Sequence, residues 1–214
     1  MGGKMSKTAP ARAPLSDQQQ RIVQASVQLI EEAGVGALSM REVARRAGVS
    51  HQAPYHHFDD REAILGAIAE EGFRMMREDF ARELDHQASS LPARITAAFQ
   101  TYVEFALQSP AHFRVMFRPE LVNLQNCPGA QEEGDRAFAI LQQLVDETIA
   151  LGVPAHPSKD ALLLLFWSVA HGFACLALDG PLTHKTPEAQ RHQQLQDLTA
   201  AFVAMVEATV SRER

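Results

Sequence analysis

Between residues 39 and 61 the sequence gathers side chains suited to hydrogen bonding with nucleic acid. Gln52 carries an amide that can bond bidentately to an adenine edge, and Arg41 a guanidinium that can serve a guanine or a phosphate. Ser39, at a helix start with free backbone N–H groups, suits a phosphate. A second set is Trp167 and His171, four residues apart and so on one helix face. Their surroundings are apolar, where an unpaired imidazole costs about 1–3 kcal/mol, so His171 needs a partner: a structural one, a ligand or a metal. The adjacent His56 and His57 diverge by about 100° on a helix, poor geometry for holding one ion together. There is no Gly-rich phosphate loop, His-Glu-x-x-His or nucleophile elbow, and nothing in the sequence calls for a catalytic residue, metal or cofactor.

The elements that must position these groups are helices. Start and stop signals recur along the chain while period-two runs of β-branched residues are missing, so the fold class is all-α, with about nine helices. Ser16 with Gln19 reads as a capping box opening a helix that Gly34 stops, and Ser39 with Glu42 as a second, opening a short helix that Gly48 stops. Ser50 is placed to cap His51 to Phe58, and Asp59 with Glu62 to cap a long helix striped by Ile64, Ile68, Met76, Phe80 and Leu84. Ser90, Ser109-Pro110, Ser158 and Thr186-Pro187 mark later starts, and Leu121 to Gly134 reads as the longest loop.

Composition limits the function classes. With 46% hydrophobic and 21% charged residues the chain suits a soluble globular protein, and its two distant cysteines argue against a disulfide scaffold and for a reducing cytoplasm. The uncharged stretch Ala161 to Leu178 is at the lower length limit of a membrane span, but Ser168, His171 and Gly172 near its middle favour a helix buried on opposite faces. No membrane association is expected. Charge is uneven: residues 1–58 hold seven Lys/Arg against four acids, leaving −9 of the net −6 on the rest, as for a nucleic-acid-facing head on an acidic body.

The two short helices joined by Ala47-Gly48-Val49-Ser50 have the lengths and turn of a helix-turn-helix. The stretch Arg21 to Leu65 resembles the N-terminal domain of the tetracycline-repressor (TetR) family through Ala33-Gly34, Ser39 to Ala44, the Ala47-to-Ser50 turn, Tyr55-His56-His57-Phe58 and Arg61-Glu62-Ala63. Trp167-Ser-Val-Ala-His171-Gly172 with Ala177 to Gly180 is similar to the Trp-x-x-x-His-Gly type of C-terminal domain in that family. The N-terminal end of a recognition helix meets base edges, which places Ser50, His51, Gln52 and Ala53 at the DNA. The resemblance implies that Tyr55, His56, His57 and Arg61 contact the backbone, Arg61 standing where lysine is usual. Gln52 and Pro54 replace the common glycine and leucine, so no operator sequence carries over.

The implied organisation is a basic arm (1–16), a DNA-binding head (17–62) and a ligand-binding and dimerisation body (63–214). By the resemblance the body holds a cavity for a small-molecule effector, and Phe99, Tyr102, Phe105, His112, Phe113, Met116, Phe117, Phe166, Trp167 and His171 permit an apolar or aromatic one. The same stripes are also what a plain helical core looks like. Leu195, Leu198, Phe202, Met205 and Val206 recur at helical spacing on the last helix and are expected at a homodimer interface, since a monomer would expose them. The resulting expectation is a cytoplasmic, ligand-responsive repressor binding a palindromic duplex operator as a dimer. The alternative is a helical small-molecule-binding protein or enzyme that keeps the fold without specific DNA binding.

Overall fold

The computed structural model describes residues 15–86, 90–152, 158–180 and 182–211. Among these are nine α-helices, one single α-helical turn and two short 3-10 turns (Val35–Ala37 and Leu124–Asn126), with no strand. Helix α1 (Asp17–Ala33), α2 (Met40–Ala47) and α3 (Ala53–His57) form the head. The body contains α4 (Arg61–His86), α5 (Leu91–Gln108), α6 (Pro110–Met116), α7 (Pro128–Ala150), α8 (Lys159–Leu178), the turn α9 (Leu182–Lys185) and α10 (Glu188–Ser211). All but the last two residues of the expected arm lie outside the described residues.

Local chemistry sets most boundaries. Ser16 accepts from the Gln19 amide while Gln19 returns a carbonyl to the Ser16 N–H, completing a capping box. Ser39, Ser90 and Ser158 each accept from the backbone N–H three residues on. Three expectations are corrected. The Ser39 box is only half made, because the Glu42 carboxylate is taken by Arg45 and Arg46. Ser50 caps nothing: α3 starts at Ala53, after a turn in which the Ala53 N–H bonds to the Ser50 carbonyl. The cap of α4 is Asp60, whose carboxylate accepts from the Ala63 N–H at 2.8 Å, and not Asp59.

The largest departure is α7. Residues 128–134, read as loop for their Pro and Gly, are its first two turns. Pro128 occupies the first helical position, where a missing N–H costs least. Gly134 lies over the Phe73 ring of α4, where a β-carbon would stand at an ordinary packing distance of 3.5 Å. A closer approach seats α6: a β-carbon on Gly72 of α4 would stand 2.5 Å from Met116 Sδ and 3.1 Å from His112 Cβ.

Helix α4 is thus the spine, with α5, α6 and α7 packed along it, and α5 carries α8 and α10 on its other side. One continuous apolar core runs from Ile22 and Ile30 in the head to Phe166 and Phe202 in the body. Helix α8 is not buried on opposite faces as expected. Leu163, Phe166, Ala170, Ala174 and Ala177 point into the core, whereas Leu164, Leu165 and Leu176 are exposed. It is long and apolar enough to cross a membrane by length and composition, and in this fold one face of it packs on α5.

Candidate nucleic-acid interface and ligand cavity

In the head, Met40, Val43 and Ala44 of α2 are buried while Arg41 and Arg45 face solvent. Gly48 closes α2 in the left-handed region, φ 65° and ψ 33°, a conformation in which a β-carbon would clash with the backbone. The chain then turns so that Ser50, His51 and Gln52 project into solvent at the start of α3, with Tyr55 56% exposed and His56 beside it. His57 is half-buried. Pro54 and Phe58 are buried and hold α3 on α1 and α2.

Two of the expected contact residues are otherwise engaged. Ala53 is 5% exposed, so it packs into the head and cannot present itself to a base. Arg61 donates from Nη2 to the Val35 carbonyl at 2.7 Å, with its Nε buried, and so ties the start of α4 to the link between α1 and α2. Electrostatics sort the remaining guanidinium groups. Arg45 and Arg46 clamp Glu42, whose carboxyl they pull down to about 2, and Arg46 also reaches Glu32 at 2.7 Å. Arg41 is exposed and makes no ion pair within the described residues. The outward row is therefore Ser39, Arg41, Ser50, His51, Gln52, Tyr55 and His56.

In the body, a cavity of about 1000 Å³ opens between α4, α5, α7 and α8. Seven expected residues line it: Phe99, Tyr102, Met116, Phe117, Phe166, Trp167 and His171. Phe105, His112 and Phe113 do not. Phe105 is core, Phe113 packs edge-on against Tyr102, and His112 turns to Glu71 of α4 at 3.2 Å. That contact, with its hydrogen-bonding and charge, lowers the Glu71 carboxyl below its usual range. Sequence reasoning missed the walls supplied by Phe73, Met76 and Phe80 of α4 and by Ala137, Phe138, Leu141 and Leu144 of α7. The α4 stripe was visible but read as core, and α7 begins in what looked like loop.

His171 finds its partner within the protein. Tyr102 Oη lies 2.7 Å from His171 Nδ1 and accepts from Trp167 Nε1–H at 3.2 Å. Burial lowers the imidazole pKa and raises that of the phenol well above its ordinary value, so both groups stay neutral. Rings of Phe117 and Phe113 stand 5.1 and 5.3 Å from the imidazole.

The head and body both correspond to known domains. Residues 22–68 match the N-terminal domain of the bacterial regulatory proteins of the tetR family, and residues 95–202 match the tetracyclin repressor-like C-terminal domain. The chain belongs to the TetR family. Among solved structures, a protein of unknown function from Rhodococcus sp. RHA1 is 27% identical with a TM-score of 0.71, over 93% of this chain and 97% of that one. A regulatory protein of the tetR family from Rhodococcus RHA1 (18% identity, TM-score 0.68, 92% and 98% covered) has the same fold. So does the fatty acid degradation regulator FadR from Bacillus halodurans (14%, 0.63, 92% and 96%). The chain is accordingly a DNA-binding transcriptional regulator with an N-terminal helix-turn-helix domain and a helical body.

The last helix corrects the interface expectation. Leu195 and Phe202 are each 3% exposed inside the chain's own core, Phe202 packing on Phe99 and Phe166 at ring distances of 4.9 and 4.8 Å. Leu198 and Val206 are half-buried. Of the five, only Met205 is fully presented, at 62%, beside exposed Ala201 and Ala204.

Proposed function

We propose that this chain is a cytoplasmic, homodimeric repressor that leaves a palindromic operator when a small molecule fills the body cavity. The carrying observation is the cavity of about 1000 Å³, walled by the same helix α4 that emerges from the head. Helix α6 contacts both α1 and α4, so an occupant that shifts α6 or α4 moves the head with it. A ligand of this kind acts only through its unequal affinity for the two states, so it must bind better to the arrangement that does not fit DNA.

In this reading the head (17–62) meets DNA through its outward row. Gln52 and His51 address base edges, while Ser39, Ser50, Tyr55, His56 and Arg41 address phosphates. Two heads about 34–36 Å apart reach successive major grooves on one face of the duplex. Pairing of the exposed α8 and α10 faces, Leu165 and Leu176 with Ala201 and Met205, joins the two copies and removes apolar surface from water.

Capture of fragmented genomic DNA tests this reading and supplies the operator. The expected result is enrichment of a palindrome bound by a dimer, with affinity falling steeply in salt as phosphate contacts release counterions. Equal affinity for scrambled duplexes at physiological salt would refute it.

A further inference from the structure

The proposed effector cavity has an uneven distribution of polar groups. Its walls are mostly aromatic and aliphatic; Asn123, Gln125, Gln131 and Ser168 add neutral polar groups and Asp135 a carboxyl, while no lysine or arginine lines it within the described residues. An anionic ligand would have to shed water with no cation to receive it and a carboxylate nearby, which is strongly unfavourable. Within this apolar wall sits the Trp167–Tyr102–His171 chain.

Its hydrogen-bond direction follows from counting protons. Trp167 Nε1 is a donor only, so the Tyr102 oxygen accepts from it. The phenol keeps its own proton, and the acceptor in reach among the described residues is His171 Nδ1 at 2.7 Å. With the phenol proton placed on that contact, Nδ1 accepts and the neutral imidazole carries its proton on Nε2. His171 lines the cavity and is only half-buried, and Nε2 has no protein partner within the described residues. In this arrangement Nε2–H is a donor facing a mostly apolar space.

We propose that the cavity selects an uncharged, predominantly apolar molecule carrying one exposed acceptor oxygen, such as a ketone or ester carbonyl, which accepts from His171 Nε2–H. Tyr102 and Trp167 are positioning residues that hold the tautomer. The proposal rests on the cavity being the effector site and deepens that reading by naming the ligand class.

The protein supplies its own probe, because its single tryptophan is Trp167 in the cavity wall. Fluorescence titration of the full-length protein at pH 7.5 compares four ten-carbon probes: decan-2-one, decanoate, decylammonium and decane. Decan-2-one is expected to bind tightest, with decanoate at least tenfold weaker and decane about fivefold weaker, the worth of one net hydrogen bond. His171→Phe should bring the ketone to the level of decane without weakening decane, and His171→Gln, which keeps a donor, should restore part of the difference. Tyr102→Phe should weaken the ketone and leave decane unchanged, which separates tautomer control from lost packing. Decanoate or decylammonium binding as tightly as the ketone would overturn the proposal. So would binding by none of the four, or a ketone affinity indifferent to His171. Release of the captured operator fragment is followed in parallel. A ketone that binds but leaves DNA bound would retire the effector reading and keep the ligand chemistry, while release by decanoate alone would do the reverse.

Discussion

Phe202 and Met205 lie three residues apart on α10, yet their substitution should have opposite consequences. Phe202 is 3% exposed and packs on both Phe99 and Phe166 at 4.9 and 4.8 Å, so Phe202→Ala removes a buried ring from the junction of α5, α8 and α10. Such a deletion costs about 3–5 kcal/mol, a lost transfer term plus a cavity that neighbours only partly fill. For a chain of this length each kcal/mol moves Tm by about 2–4 °C, so the melt should fall by roughly 6–20 °C. Met205 is 62% exposed, so Met205→Glu should leave the subunit's intrinsic stability within about 0.5 kcal/mol. In the proposed dimer, however, it buries two charges without cationic partners, repeated by symmetry. Thermal melts by circular dichroism at matched protein concentration, with sedimentation on the same samples, separate the two effects. Phe202→Ala should melt early at every concentration, and Met205→Glu should sediment as a folded monomer. The reasoning fails if Phe202→Ala melts within about 2 °C of the parent, or if Met205→Glu remains dimeric at micromolar concentration.

In the head, Gln52→Ala should lower specific over random DNA affinity by about 1–3 kcal/mol, read as the ratio of dissociation constants for operator and scrambled duplex. Arg61→Ala should act on the head's stability, because its guanidinium holds the Val35 carbonyl. A melt lowered by the equivalent of about 1.5–3 kcal/mol, with an unchanged salt slope of DNA binding, is the expected pair of results. The His171 pKa is lowered from 6.5 by burial, so the unfolded chain binds more protons there than the native one. Stability from this site is present above pH 6.5 and declines as pH falls through that value toward the lower native pKa. Melts taken from pH 7.5 to 5.5 should therefore drop less in His171→Asn than in the parent.

Helix boundaries were legible in the sequence wherever a short-range bond decides them. Ser16, Ser39, Ser90 and Ser158 satisfy an N–H three residues away, and Gly48 supplies a backbone conformation that its neighbours cannot adopt, so no distant residue needs to be known. The outward polar row around Gln52 was legible for the same reason, together with the family resemblance. What sequence could not show was which side of a periodic stripe meets its own chain. Phe202 and Met205 belong to one apolar pattern, and only the placement of α10 on α5 makes the first core and the second surface. Pro128 and Gly134 carry loop signals locally, but packing of α7 along α4 extends the helix back through both of them. Arg61 meets Val35 across 26 residues of chain and Tyr102 meets His171 across 69, distances over which composition and period carry no information. The sequence by itself determined most helix starts and the outward polar row of the head, because these rest on neighbours within one turn. The tertiary structure alone decided the cavity walls, the pairing of Tyr102 with His171 and the division of α10 into core and surface, because each depends on helices brought together only by burial of the common core.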